Sequence, residues 1–183
     1  MDLDEATGLF LKAIHFSADR HRDQRRKDVQ HSPYINHPIE VAETLWEIGG
    51  VRDNLPLIAA ILHDTLEDTE TTPDEIRALF GEGILSVVLE VTDDKSLPKQ
   101  TRKQLQIEHA PHISPEAKLV KLADKICNLA DLLHSPPQLW TFGRKQDYLL
   151  WTEQVVAGLR GTNPALEKRY DELLTQGKRL LNI

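Results

Sequence analysis

The sequence predicts an all-α protein, and three observations predict it. Apolar residues recur at helical spacing through most of the chain. Three segments open with a capping residue followed by proline: Thr72-Pro73, Ser114-Pro115 and Asn163-Pro164. No stretch shows the sustained apolar–polar alternation of a half-buried strand. A length of 183 residues suits one domain, so 1–183 is read as a single compact multi-helix unit. Such a chain can bury a core without disulfide or metal staples.

Taken in order, the first helix runs near 4–22, with Leu9, Ala13, Phe16 and Ala18 at roughly helical spacing. Pro38 fits the first turn of a second helix reaching about Ile48, where Gly49 and Gly50 supply the stop. Pro56 begins a third, with Leu57, Ile58, Ile61 and Leu62 on its buried side. Thr72-Pro73-Asp74-Glu75 is a capping box with proline at the first helical position. Val87-Val88-Leu89 is short and mostly β-branched, but it lies inside a longer helical pattern after Gly83. Further helices are expected near 115–133, 139–160 and 164–181. The least regular segments are 23–36, 93–98 and 134–138. They are candidate site loops, because loops on a rigid scaffold often carry function. A plain surface connection is the alternative for 134–138.

Composition narrows the function classes. A hydrophobic fraction of 40% with 28% charged residues places the chain among ordinary globular proteins, not disordered ones. A formal net charge of -7 gives no bulk attraction to nucleic acid, so a polyanionic ligand needs a local positive patch or a metal. No segment has the uninterrupted apolar length of a membrane span. The acidic N-terminus, Met1-Asp2-Leu3-Asp4-Glu5, is not that of a signal peptide. The lone Cys127 cannot form an internal disulfide. These features together lead us to expect a cytoplasmic protein. Cys127, between Ile126 and Asn128, reads as a small buried hydrophobe.

The chemistry centres on a polar interruption. His63-Asp64 ends the apolar run Leu57-Ile58-Ala59-Ala60-Ile61-Leu62. A buried aspartate is costly unless it is paired, hydrogen-bonded or metal-bound, and a metal accounts for both polar residues at once. Imidazole with carboxylate suits Mn, Fe, Co or Zn. His37 precedes a proline-started helix, and Asp124 sits in the mostly apolar Leu119-Val120-Lys121-Leu122-Ala123-Asp124-Lys125, with Asn128 one turn later. Alone, His37 reads as an N-cap and Asp124 as a salt-bridged aspartate. The order His, His-Asp, Asp on separate helices reads as a site. If the helix continues to residue 68, Glu67 stacks on His63 and Asp68 on Asp64, which puts two carboxylates beside it.

Four motifs in this order resemble the HD-domain phosphohydrolases: Tyr34-Ile35-Asn36-His37-Pro38, Leu62-His63-Asp64-Thr65-Leu66-Glu67-Asp68-Thr69, Val91-Thr92-Asp93-Asp94-Lys95 and Lys121-Leu122-Ala123-Asp124-Lys125. The pattern is similar to the hydrolase domain of the RelA/SpoT alarmone enzymes, and more so to the small stand-alone alarmone hydrolases, such as the metazoan SpoT homologues. The resemblance covers nearly the whole chain and implies the HD-domain fold. It implies that His37, His63, Asp64 and Asp124 bind one divalent ion, Mn2+, and that Glu67 and Asp68 serve the attacking water. It also implies that Arg26 and Lys27 stack on and pack around a guanine base, and that Lys99, Arg144 and Tyr148 reach the distal phosphates. Asn128 is carried over as a ligand-side residue. The rest of the basic run Arg20, His21, Arg22, Arg25 reads as a solvated helix C-terminus, where cations are favoured.

The activity implied is removal of the 3′-pyrophosphate from guanosine tetra- and pentaphosphate, (p)ppGpp, leaving GDP or GTP, as in a stringent-response enzyme. No room remains for a synthetase domain, so no alarmone synthesis is expected. Two rivals stand beside this reading. One is phosphatase action on another nucleotide, NADPH above all. The other is a sensing module that binds without turnover, against which the full set of ligands and both acids count.

Overall fold

The computed structural model describes residues 3–183; Met1 and Asp2 of the acidic N-terminus lie outside the described residues. The described residues form ten helical segments and no strand: α1 (Leu3–Arg20), α2 (Asn36–Glu47), α3 (Asn54–Leu62), α4 (Thr65–Asp68), α5 (Pro73–Phe80), α6 (Glu82–Val91), α7 (Lys99–His109), α8 (Pro115–His134), α9 (Phe142–Ala157) and α10 (Pro164–Leu180). A single bridge pairs Arg25 with Pro33 across the loop after α1.

Helix starts follow the capping chemistry. Thr72 Oγ1 accepts from Glu75 N at 3.3 Å while Glu75 Oε2 accepts from Thr72 N at 2.8 Å, closing both halves of the box. Ser114 Oγ accepts from Ala117 N, and Asn163 Oδ1 from Ala165 N and Leu166 N, ahead of their prolines. Asp53 caps α3 through Leu55 N, so that helix begins at Asn54, two residues before Pro56. Thr141 caps α9, so the irregular segment after α8 extends past 138 to Thr141.

The core is centred on α3, where every residue from Pro56 to Leu62 is buried. A helix that is apolar all round can be stable only when surrounded. α1, α2, α6 and α8 pack around it, and α8 in turn carries α9 and α10. By contrast, α7 buries none of its residues. The hydrophobic period used to locate the other helices therefore leaves it unassigned.

The helix expected to continue through residue 68 is broken. α3 ends at Leu62, Asp64 adopts φ −97 and ψ −4, and α4 is a separate turn. A continuing helix would offer the carbonyls of Ala60 and Leu62 to Asp64 N and Leu66 N. Here Ala60 O receives His63 Nδ1 at 2.7 Å and Leu62 O receives Thr65 Oγ1 at 2.7 Å. Local side-chain donors of this kind compete with the backbone ladder.

Candidate active site

His37 from α2, His63 and Asp64 at the end of α3, and Asp124 from α8 meet at one cavity of about 230 Å³. The donor atoms of His37, His63 and Asp64 lie within 4.8 Å of one another. His37 Nε2 is 3.1 Å from Asp124 Oδ1, and His63 Nε2 is 3.0 Å from Asp64 Oδ2 and 3.9 Å from Asp124 Oδ1. Both histidines are buried, at 1% and 6% exposure. The carboxylates are fixed from behind. Tyr34 Oη donates to Asp64 Oδ2 at 2.5 Å. Asn128 Nδ2 donates to Asp124 Oδ1 at 2.5 Å, and Lys125 Nζ to its Oδ2 at 2.8 Å.

The tautomer of His63 tests whether a cation fits. A carbonyl only accepts, so His63 Nδ1 carries the hydrogen given to Ala60. In the neutral ring Nε2 is then a bare lone pair, buried, facing two carboxylates and without a hydrogen-bond partner. Acceptors facing acceptors need a positive charge between them. Without a metal a proton fills that role: burial works against it, but Asp64 and Asp124 push the His63 pKa up to about 9. Despite burial, His63 and His37 hold the Asp64 carboxyl well below the usual range. Asp124 is held low as well, by Lys125 and the same histidines, against its own burial. Two imidazoles and two carboxylates form a donor set for a divalent first-row ion; outer partners orient His63, Asp64 and Asp124, while His37 Nδ1 is buried without a hydrogen-bond partner among the described residues.

α4 places Glu67 and Asp68 on the same cavity. Glu67 accepts from Asp93 N at 3.1 Å and from Arg102 Nη1 at 3.4 Å, and burial pushes its pKa up. Asp68 accepts from Gln24 Nε2 at 3.2 Å and is ion-paired with Lys95. Lys121 also lines the cavity, buried and without an ion-pair partner among the described residues; burial first, then Lys125, lower its pKa to about 8.

Two hollows continue from this cavity. One, of about 290 Å³, shares Tyr34, Asp68 and Asn128 with it and adds Arg26, Lys27, Asp131 and Trp140. Arg26 is ion-paired with Asp131, and its guanidinium lies 5.8 Å from the centre of the Tyr34 ring. The second is a groove of about 1160 Å³ that holds Lys99, Arg144 and Tyr148 and meets the first at Lys27, Trp140 and Tyr148. Arg144 stacks 4.4 Å over Trp140, which stands edge-on to Tyr148 with ring centres 5.2 Å apart. Burial and then the charges of Arg144, Lys27 and Arg102 lower the pKa of Lys99. In this groove Lys27, Lys99, Arg102, Lys103 and Arg144 outnumber the carboxylates of Asp93 and Asp147, an excess of positive charge that favours an anion.

Every residue singled out from the sequence thus lines this connected space. Others on it were not singled out: Gln24, Arg102, Asp131 and Trp140, with Tyr34, Lys121 and Lys125 noted only as parts of motifs. His21 was read as solvated, but it is 2% exposed and packs on Tyr34 with ring centres 4.8 Å apart. Lys121 and Lys125 did leave a signal: lysines one turn apart in an apolar helix beside Asp124. Cys127 is buried, as expected, with its pKa pushed up to about 12 by that burial.

The sequence pattern of the HD domain matches residues 13–151. The chain belongs to the HD-domain family. This HD-domain protein is 54% identical over 165 residues to the guanosine-3′,5′-bis(diphosphate) 3′-pyrophosphohydrolase MESH1 of Xenopus tropicalis, covering 90% of this chain and 92% of that one. It is 54% identical over 166 residues to the human MESH1, covering 91% and 93%. A solved structure described as a metazoan orthologue of SpoT that hydrolyses ppGpp and plays a role in starvation responses superposes with a TM-score of 0.90. That likeness has 47% identity and covers 92% of this chain and 94% of the other. No helix among the described residues is long and apolar enough to cross a membrane.

Proposed function

We propose that this HD-domain protein is a metal-dependent hydrolase that removes the 3′-pyrophosphate of (p)ppGpp, yielding GDP or GTP and pyrophosphate. The observation that carries the reading is the buried His63 Nε2, facing Asp64 and Asp124 without a hydrogen-bond partner, in a cavity that opens onto Lys27, Lys99 and Arg144, which have no ion-pair partner among the described residues. The MESH1 relatives supply the substrate.

His37, His63, Asp64 and Asp124 would hold the ion, which we take to be Mn2+. When bound, a divalent ion there supplies Lewis acidity toward phosphoryl oxygens and makes water easier to deprotonate. Glu67, its carboxyl pushed up by burial, accepts the proton of the attacking water, and Asp68 orients that water toward the phosphorus bonded to the 3′-oxygen. The bond from that phosphorus to the 3′-oxygen breaks, and the proton is returned to the ribose hydroxyl. Lys99, Arg144 and Tyr148 hold the distal phosphate and offset its charge. Arg26 and Lys27 take the base, and Asn128 keeps Asp124 aimed at the ion. Arg26 leaves or shares its pair with Asp131 when its flat guanidinium stacks on guanine.

Chelator-stripped protein incubated with guanosine tetraphosphate, with and without Mn2+, tests this, with products resolved by ion exchange. GDP and pyrophosphate should appear only with metal. No turnover with any divalent ion would overturn the reading. A higher kcat/KM for phosphate release from NADPH in the same assay would reassign the substrate.

A further inference from the structure

The loop after α1 holds Asp68 through two side chains that the reaction as described leaves out. His21 N donates to Ser17 O at 3.0 Å and Gln24 N to His21 O at 2.9 Å, which fold residues 21–24 into a tight turn. From it, Gln24 Nε2 donates to Asp68 Oδ2 at 3.2 Å, while Gln24 Oε1 lies 2.7 Å from His21 Nδ1. An ionised carboxylate only accepts, so the Gln24 amide nitrogen must face Asp68 and its oxygen must face His21. His21 Nδ1 therefore carries the hydrogen and donates it.

The burial of His21 sets it apart from its neighbours in sequence. It sits within the most cationic run of the sequence, beside exposed Arg22 and Arg25, yet it is 2% exposed and its Nε2 has no partner. Burying a ring nitrogen unmatched is unfavourable, and an apolar side chain would fill the space at lower cost. The contacts return something for it. The ring backs Tyr34, whose hydroxyl holds Asp64, and its Nδ1 fixes the Gln24 amide that holds Asp68. Lys95 holds the other oxygen of Asp68, but it is a half-exposed lysine on a flexible stem.

We propose that His21 and Gln24 are positioning residues: His21 orients the Gln24 carboxamide, which aims Asp68 at the water attacking the 3′-phosphate. This rests on the role given to Asp68 above.

The test compares hydrolysis of guanosine tetraphosphate by Mn2+-loaded wild type, D68N, H21L, H21N, Q24L and the H21L/Q24L double variant, with Mn2+ affinity measured by calorimetry. Loss of an outer hydrogen bond of this type lowers activity by about 10–100-fold. H21L and Q24L should each lose kcat on that scale, with KM and Mn2+ affinity unchanged. The double variant should be no worse than either, since both act through one contact. H21N, whose amide can still donate to Gln24, should regain most of kcat. Q24L probes the same contact at a half-buried position, without refilling the His21 site. An inactive wild type, or a fully active D68N, would overturn the role of Asp68 and this proposal with it. Active wild type and dead D68N with full kcat in H21L and Q24L would overturn only the positioning. So would kcat, KM and metal affinity failing together, which marks a merely structural role.

Discussion

Tyr34 donates its hydroxyl to Asp64 Oδ2 at 2.5 Å. The two residues come from different segments, the loop before α2 and the break after α3. Tyr34 also stands one turn ahead of His37, so a single short segment supplies one candidate ligand and locks another. Burial, and then the Asp64 carboxylate, push the phenol's ionisation far up, so it remains a donor across the working pH range.

Tyr34→Phe keeps the ring and removes only that donor. Second-sphere hydrogen bonds to metal ligands are worth about 10–100-fold in affinity or activity. We expect Mn2+ affinity, measured by calorimetry on chelator-stripped protein, to fall by that factor. Unchanged affinity would remove Tyr34 from the metal centre.

Metal-free protein should lose stability between about pH 6.5 and pH 9. The folded-state pKa of His63, about 9, is raised above its ordinary 6.5. The protonated ring therefore favours the fold, fully below pH 6.5 and progressively less as pH rises through 9. A divalent ion held by His63 would compete with that proton, so metal binding should gain over the same window. Thermal melts at fixed ionic strength should show the chelated protein softening from pH 6.5 to 9 while the gain in Tm from Mn2+ grows. A chelated protein that grows more stable over that range would contradict the assignment.

His63 and Asp64 were legible as a candidate site because two polar residues at the end of Leu57–Leu62 have few explanations in a helix buried on every side, whereas His37 and Asp124 drew notice only through the order of the motifs. Caps and prolines were legible for a similar reason: by a local rule the cap satisfies an orphan donor and the proline removes one. What stayed hidden depended on partners distant in sequence. Nothing local marks His21 as buried, because the Tyr34 ring that packs on it comes from the far end of the following loop. α7 leaves no clear hydrophobic period because none of its residues is fully buried, Ile107 being only partly covered against the core. The break at Asp64 arises from His63 and Thr65 side chains competing for backbone carbonyls, a contest that helical periodicity does not register.

Lys99 should trade stability for activity. It is the first residue of α7, at the positive end of the helix dipole, with burial and the charges of Arg144, Lys27 and Arg102 lowering its pKa. A free protein gains nothing from a cation there. Lys99→Ala should leave Tm equal or slightly higher. It should lower kcat/KM for guanosine tetraphosphate by about 10–100-fold, the worth of one hydrogen bond to a charged group. Calorimetry and steady-state kinetics on the same preparation decide it. A fall in Tm with intact kcat/KM would make Lys99 a structural residue.

Gly158 should be intolerant of even one methyl group. A Cβ built there would stand 2.8 Å from Ala110 Cβ, 2.9 Å from Pro111 Cδ and 3.0 Å from Pro111 N. None of these belongs to a flexible side-chain end, so relief requires moving backbone. The contact joins the end of α9 to the turn that follows α7, and Trp151 Nε1 donates to Lys103 O at 3.1 Å further along the same pair. With no fully buried residue of its own, α7 is held by these approaches to α9 and by Ile107, which packs partly buried against the core. Gly158→Ala should cost about 1–3 kcal/mol, as overpacking does. That corresponds to a Tm several degrees lower in a domain of this size. Because Lys99 and Arg102 ride on α7, kcat/KM should fall with it. Gly8 is the control: it lies inside α1 with nothing within 4 Å of an added Cβ, so Gly8→Ala should stabilise by about 0.5–1 kcal/mol through helix propensity alone. If the two alanines shifted Tm in the same direction, the close packing of α7 on α9 would not be what fixes the phosphate-side cations.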